Sequence, residues 1–326
     1  MKRFKDIFCV VAPGTGCKPV LERAVTLAEN NQASLTVIDV IERIPSGIKM
    51  PKGGPIFADL QAATVRAHEQ EMDSLIEPYR QRIDMQAKVL IGMPFLEIVR
   101  EVLRNGRDLV IKTAETCDWQ GRLFGSDDMH LLRKCPCPVW LIKAEAPKSF
   151  QCILAAVDVD DGYPPAELTS RQALNRQILE MAGSLALSEF AQLHVAHVWE
   201  AVGESVMRGA IMHTPEEDIT AYVEQVRQHR QGSLDALMRE AGSTLGHDAM
   251  DYLKPRVHLV QGWARQEIPA LAKRIDADLV VMGTVVRTGL AGFIMGNTAE
   301  TILNQIGCSV LAIKPPGFAT PVMLED

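Results

Sequence analysis

The sequence predicts an α/β protein of two tandem doubly wound domains, each a five-stranded parallel sheet with helices on both faces. Three observations carry that prediction. Apolar runs occur without polar alternation, as in strands buried on both faces. Segments of helical periodicity separate them, which sets consecutive strands parallel through right-handed crossovers. And the series occurs twice: Val89–Ile98 recurs as Leu259–Ile268, Asp108–Ile111 as Asp278–Val281, Pro138–Lys143 as Ser309–Lys314 and Ala33–Val37 as Ala191–Val195. The offset starts at 146 (Val11 to Val157), passes 158 and 170, and ends at 171, so the second copy carries insertions while the strand order is kept. This is a duplicated domain rather than a solenoid, divided into residues 1–146 and 147–326.

Each element has a local reason. Asp6–Ala12 is a short apolar run and reads as the first strand. Val20–Asn30 places Val20, Leu21, Ala24, Leu27 and Ala28 at helical spacing, and Ser34–Ile41 is the second strand. Pro45–Pro55 is too irregular for an element and long enough to be a functional loop. Asp59–Arg82 reads as a long helix, Ala87–Ile91 as strand three, Phe95–Asn105 as a helix and Asp108–Lys112 as strand four. Met129–Arg133 lies in a last helix before strand five, Val139–Lys143. The same order runs from Cys152 to Lys314, with Ala201–Pro215 as the matching long loop and Glu216–Ala241 as the long helix. In such sheets ligands bind beyond the strand C-termini where the strand order reverses.

Composition excludes several function classes. The first 146 residues carry 20 basic and 19 acidic side chains and the remainder 14 and 22, so the second half is at about −8 and neither half has a basic stripe. Direct nucleic-acid binding is not expected. No apolar run reaches membrane-span length, and Met-Lys-Arg-Phe-Lys-Asp at the start lacks an apolar leader core. Seven cysteines without a framework spacing fit a reducing cytoplasm.

The strongest local signal is Val281–Thr298, where a buried strand ends at Gly283 and Gly296-Asn297-Thr298 opens a helix. Glycines allow close backbone approach, and free N–H groups at a helix start suit a phosphate. Asn297 is equally a good N-cap, which needs no ligand. The segment resembles the signature of the universal stress protein family, Gly-x2-Gly-x9-Gly-Ser/Thr. Gly283 and Gly296 match in spacing, Val286 holds the middle glycine's place, and Asn297 stands at the hydroxyl position. The resemblance extends over the whole chain and is nearest to the tandem E-type members through His130–Pro136, Pro138-Val139-Trp140, Gly296-Asn297-Thr298 and Phe318–Val322.

That resemblance implies an adenine nucleotide alpha hydrolase-like fold with the two domains packed as a pseudo-dimer through their last strands. It also implies that Gly283, Thr284, Gly296, Asn297 and Thr298 cradle the phosphates and ribose of ATP with Mg²⁺. Asp158, ending the first strand of the second copy, falls near the adenine and ribose, and the main chain of His197 and Val198 falls at the adenine. The first copy departs further: Thr113 replaces the first signature glycine, Ala12 replaces Asp158, and Asp127-Asp128 follow Gly125-Ser126. A phosphate is not expected there; the acids read as helix N-terminal charge.

Other motifs weaken on inspection. Gly14-Thr15-Gly16 lacks the third glycine of a dinucleotide fingerprint, and Lys18 is followed by Pro19 rather than the hydroxyl of a phosphate loop. His194 and His197, three apart on a strand, face opposite sides. Cys135-Pro136-Cys137 is too tight for a zinc pair and reads as buried thiols. Asp160 and Asp161 read as solvated, with Mg²⁺ assistance as the alternative, and Trp119, Trp140 and Trp199 read as packing residues. Lys143 and Lys314 read as solvated edge charges. No residue set argues for catalysis or for a resident metal.

The reading is therefore a non-enzymatic cytoplasmic stress-response protein whose second domain holds an adenine nucleotide weakly or conditionally, altering the binding of an unknown protein partner; homodimer formation is left open. A second reading is a binding module for an apolar or lipid-like metabolite under the apolar loops Ile44–Phe57 and Val202–Met212. A slow ATPase is the third.

Overall fold

The computed structural model describes residues 4–13, 17–44, 57–115, 124–209, 212, 214–284 and 295–324. Two compact units follow one another, the first built on the chain up to Lys148 and the second on the chain from Ser149 to Phe318.

In the first unit the order is β1 (Asp6–Val10), α1 (Lys18–Asn31), β2 (Ser34–Ile41), α2 (Phe57–Ile76), β3 (Met85–Ile91), α3 (Pro94–Asn105), β4 (Leu109–Thr113), α4 (Ser126–Lys134) and β5 (Val139–Ile142). The strands lie parallel in the order β3-β2-β1-β4-β5. The long helix expected to reach Arg82 ends at Ile76, and Glu77–Tyr79 continue as a 3₁₀ turn. Pro78, inside that turn, has no N–H with which to extend an α-helix.

The second unit repeats the plan: β6 (Cys152–Ala156), α5 (Pro165–Glu189), β7 (Gln192–Trp199), α6 (Glu204–Met207), α7 (Glu216–Leu245), α8 (His247–Leu253), β8 (Arg256–Gln261), α9 (Ala264–Arg274), β9 (Leu279–Gly283), α10 (Asn297–Leu303) and β10 (Ser309–Ile313). Its strands are parallel in the order β10-β9-β6-β7-β8. The inserted chain lengthens α5 to 25 residues against 14 in α1, lengthens α7 to 30 against 20 in α2, and adds α8, while the one-turn α6 lies inside the stretch read as an open loop. In both units the middles of the central strands are fully buried, as continuous apolar runs require: Ile7, Leu109 and Val110 in one, Ile153, Leu279 and Val280 in the other.

Two devices occur in both copies. Asp108 accepts the backbone N–H of Lys5 (2.7 Å) and Asp6, and Asp278 accepts those of Gln151 (2.6 Å) and Cys152 (3.0 Å), fastening the start of each first strand to its neighbour. Gly92 and Gly262 turn the chain from the third strand into the next helix with φ of +151° and +138°, a backbone that L side chains rarely adopt.

Candidate functional site

The second unit reverses its strand order around β6, and at that point the chain leaves a cavity of about 490 Å³. Its volume is in the usual range for small-molecule sites, roughly 300–1,000 Å³. Asp158 beyond β6, His197 to Trp199 at the end of β7, Met282 and Gly283 at the end of β9, and Thr298 and Ala299 on α10 all line it. These are the C-terminal strand ends where a doubly wound sheet receives ligands.

Of the eight residues singled out from the sequence, Asp158, His197, Val198, Gly283 and Thr298 stand on this wall. Thr284, Gly296 and Asn297 are not among its lining residues. Thr284 is buried and its hydroxyl accepts a hydrogen bond from Lys314 Nζ at 2.7 Å. Lys314 is therefore buried, which corrects its reading as a solvated edge charge. Gly283 has a packing reason of its own, because a Cβ there would sit 2.5 Å from Leu174 Cδ2. Val286 lies outside the described residues, as do Trp119, Ile211 and residues 45–56 of the first apolar loop.

Asp158 is held from several sides. Asn175 reads both of its backbone groups, accepting from the N–H at 3.0 Å and donating to the carbonyl at 2.7 Å. The carboxylate accepts from Arg171 Nη1 at 2.6 Å, from the Tyr163 hydroxyl at 3.2 Å and from the Asp160 N–H at 3.1 Å. Arg171 and Asn175 stand one turn apart on α5, so one helix face positions the whole group. The Arg171 guanidinium lies 3.4 Å over the Tyr163 ring. Burial pushes the Tyr163 hydroxyl up to about 12, with the Asp158 charge acting in the same sense.

His197 is buried, its Nδ1 within 3.4 Å of the Val159 N–H and 3.3 Å of the Val157 carbonyl. Its Nε2 has no hydrogen-bond partner among the described residues. Burial holds the ring below the usual imidazole range although Asp158 pulls the other way, so the ring is neutral near pH 7. On the opposite face of β7, His194 Nδ1 meets His258 Nε2 at 2.9 Å, so the two histidines of the strand do separate to its two sides.

Asp160 and Asp161, read as solvated, are 40% and 52% exposed and are in addition tied to α7. Arg230 pairs with both, at 2.8 and 2.5 Å, and His229 Nε2 lies 2.6 Å from Asp161. Hydrogen bonds from His229 and Arg230 hold the Asp161 carboxyl down to about 2.

The sequence reading missed Arg171, Tyr163, Trp263 and Arg265. Trp263, half-exposed at the start of α9, lines the cavity, donates its indole N–H to Glu200 at 2.8 Å and carries Arg265 over its ring at 4.9 Å. The available signal was the repeat itself: Trp263 occupies the place of Met93 in the first copy. Val202 lies on the cavity wall, whereas Met207 and Met212 of the same apolar loop do not.

The first copy finishes the same positions differently. Lys112 and Asp128 stand where Met282 and Ala299 line the cavity, and they form an ion pair of 2.6 Å. Lys112 also meets Glu115 at 2.9 Å, and the Glu115 N–H donates to Asp128 at 2.6 Å. Burial works to lower the Lys112 pKa, but the two carboxylates outweigh it and raise it. Asp128, expected as simple helix N-terminal charge, is thus a buried counterion; Asp127 in the same first turn fits the expected role.

Comparison with known proteins gives a consistent result. The family described as "Universal stress protein family" matches residues 3–143 and again 153–314. The chain is 33% identical over 332 residues to Universal stress protein E of Salmonella typhi, spanning 100% of this chain and 99% of that relative. It is 28% identical over 333 residues to Universal stress protein E of Escherichia coli K12, at 100% and 99% coverage. A functionally unknown protein from Pseudomonas aeruginosa PAO1 has the same fold, with a TM-score of 0.69 at 24% identity over 96% of this chain and 94% of that one.

Proposed function

The chain belongs to the universal stress protein family and carries its domain twice, and on that premise we propose that its second unit binds an adenine nucleotide, non-catalytically, to modulate a protein partner. The carrying observation is the cavity at the strand-order switch of the second unit, with Asp158, Gly283 and Thr298 on one wall. The ion pair at the equivalent positions of the first copy supports the choice of unit, since a buried carboxylate at a helix start competes with a phosphate. In this reading the adenine lies against His197 and Val198, and the sugar and phosphates extend toward Thr284, Gly296, Asn297 and Thr298 with Mg²⁺.

The test is calorimetric titration of the full chain with ATP and Mg²⁺, after native mass spectrometry has checked for a carried ligand. A Met282→Lys/Ala299→Asp variant, which rebuilds the first copy's ion pair inside the cavity, is titrated alongside. One site per chain in the parent and none in the folded variant is the expected result. Absence of binding to the parent sinks the reading, and equal binding by the variant moves the site elsewhere.

An apolar metabolite is the second reading. Leu174, Ile178, Ile268 and Ile302 line the cavity, and Val202 and Trp263 at its rim are 79% and 49% exposed. Apolar surface beside a cavity is a frequent mark of ligand recognition. Saturable uptake of a medium-chain fatty acid that ATP does not displace would favour it.

A further inference from the structure

We propose that the His197 side chain is a specificity-determining group of the second-unit cavity, its Nε2 hydrogen-bonding to the polar edge of a bound adenine ring. The inference rests on the nucleotide reading and deepens it. The family resemblance puts the main chain of this segment at the base, and the imidazole adds a contact that only a base with a matching edge completes.

Four observations support it. His197 stands on the cavity wall and is 2% exposed, yet its Nε2 has no hydrogen-bond partner among the described residues. Buried polar atoms are ordinarily satisfied, so this one points to a ligand that carries the missing partner. The other polar side chains around it are already engaged. Arg171, which also has unpartnered atoms, is set against Asp158 at 2.6 Å and Glu167 at 3.8 Å, Asn175 holds the Asp158 backbone, and Glu200 accepts from the Trp263 indole. The rest of the wall suits a flat apolar ring face, with Leu174, Ile178 and Ile268 inside and Trp263 at the rim. Finally, the first copy shows the same position closed from within. Asp39, 158 places before His197, is buried and meets His68 Nδ1 of α2 at 2.5 Å. The second copy supplies no such side chain to His197 Nε2 among its described residues and keeps a cavity instead.

The chemistry follows from the two ring nitrogens. Nδ1 has a donor and an acceptor in reach, the Val159 N–H at 3.4 Å and the Val157 carbonyl at 3.3 Å. Both neutral tautomers are therefore supported, and Nε2 can offer either a proton or a lone pair. An adenine edge carries ring-nitrogen acceptors and an amino donor, so it can meet either form. An acyl chain can meet neither and would leave Nε2 buried and unpaired. A site that bonds a polar group of its ligand strongly rejects an analogue lacking that group, because the protein atom is then stranded.

The experiment is calorimetric titration of the full chain, parent and His197→Phe, with adenosine and with analogues that each lack one polar group of the base. These are purine riboside, without the amino group, and the 1-, 3- and 7-deaza forms of adenosine. The parent is expected to bind at least one analogue about tenfold or more weakly than adenosine, the scale of one hydrogen bond to a buried group. His197→Phe keeps a flat ring and loses both nitrogens, so it is expected to bind adenosine and that analogue alike. Any discrimination made by the main chain persists in the variant. Because a change at a buried residue can prevent folding, ring-nitrogen NMR of the parent reads the same bond without a substitution. Adenosine is expected to shift the His197 Nε2 signal, and the discriminated analogue is expected to leave it in place. A folded His197→Phe that keeps every discrimination of the parent overturns the inference while leaving the nucleotide reading standing. So does a parent that binds the whole series alike with the Nε2 signal unmoved. If the parent binds neither adenosine nor ATP, the nucleotide reading fails and the inference falls with it.

Discussion

The two copies build the same strand ends and finish them with opposite chemistry. At the end of β4 the first copy places Lys112 against Asp128, both nearly inaccessible to solvent. At the end of β9 the second copy has Met282 and Ala299 and keeps a cavity. The first copy has put its own carboxylate at a helix start, where free N–H groups attract negative charge. The features kept in both, the aspartate clasps and the positive-φ glycines, belong to strands and turns. Duplication thus separates what maintains the fold from what shapes a site.

The largest effect expected from breaking this difference is in the first copy. Asp128→Ala leaves Lys112 buried with only Glu115 for company, and stranding one partner of a buried pair costs about 3–5 kcal/mol. The double variant Lys112→Met/Asp128→Ala, which installs the second copy's residues, is expected to cost far less than the sum of the single changes. Hydrogen exchange resolved to β4 and α4 measures this better than one melting curve, since two units need not unfold as one state. Additive losses would mean the pair is not the coupled feature that separates the copies.

The strand ladder was legible because buried parallel strands write themselves as unbroken apolar runs, and the repeat allowed each run to be checked against its twin. Ser34–Ile41 was read to the residue, and β1 and β3 within two. The extent of α2 was misread because its polar face continues past Ile76 while Pro78 ends the α-helical bonding. In the site, residues immediately after strands were readable because topology alone puts them at the switch point. Arg171, 13 positions beyond Asp158 on a helix, carries no spacing signal, and only its 2.6 Å contact reveals it. Lys112 and Asp128 lie 16 apart in chain and meet only because β4 and α4 pack together, so their pairing was equally hidden.

The aspartate clasps sharpen the comparison from the side where the copies agree. Asp108→Ala and Asp278→Ala each leave two strand-start N–H groups without their acceptor. Each is expected to destabilise its own unit by about 1 kcal/mol, since the Lys5 and Gln151 N–H groups are exposed and only those of Asp6 and Cys152 are partly buried. The two losses should agree within about 0.5 kcal/mol. Exchange at the amides of β1 and β6 reads each unit separately. A loss in one copy with none in the other would show that the repeated aspartates do not do the same work.

The smallest effect concerns acid. Among its described residues the second unit contains three histidines held below the usual imidazole range, His194, His197 and His258, in each case by burial first. Arg256 adds its charge at His194, and Arg274 and Arg256 add theirs at His258, whereas the first unit has only His130 so affected among its described residues. A histidine whose folded pKa is lowered favours the neutral ring, so its contribution is complete above the unfolded value of about 6.5 and is lost as pH falls below it. Acidification from pH 7 to 5.5 is therefore expected to weaken the second unit more than the first. The His194–His258 contact at 2.9 Å, with rings 11° from parallel, accepts one proton only by setting charge against the neighbouring arginines. His258→Asn, which removes one of the two rings, should flatten the pH dependence of exchange in β7 and β8 and leave β1 and β2 unaltered. An equal response in both units, or a second unit more stable at pH 5.5, would show that these histidines do not distinguish the copies.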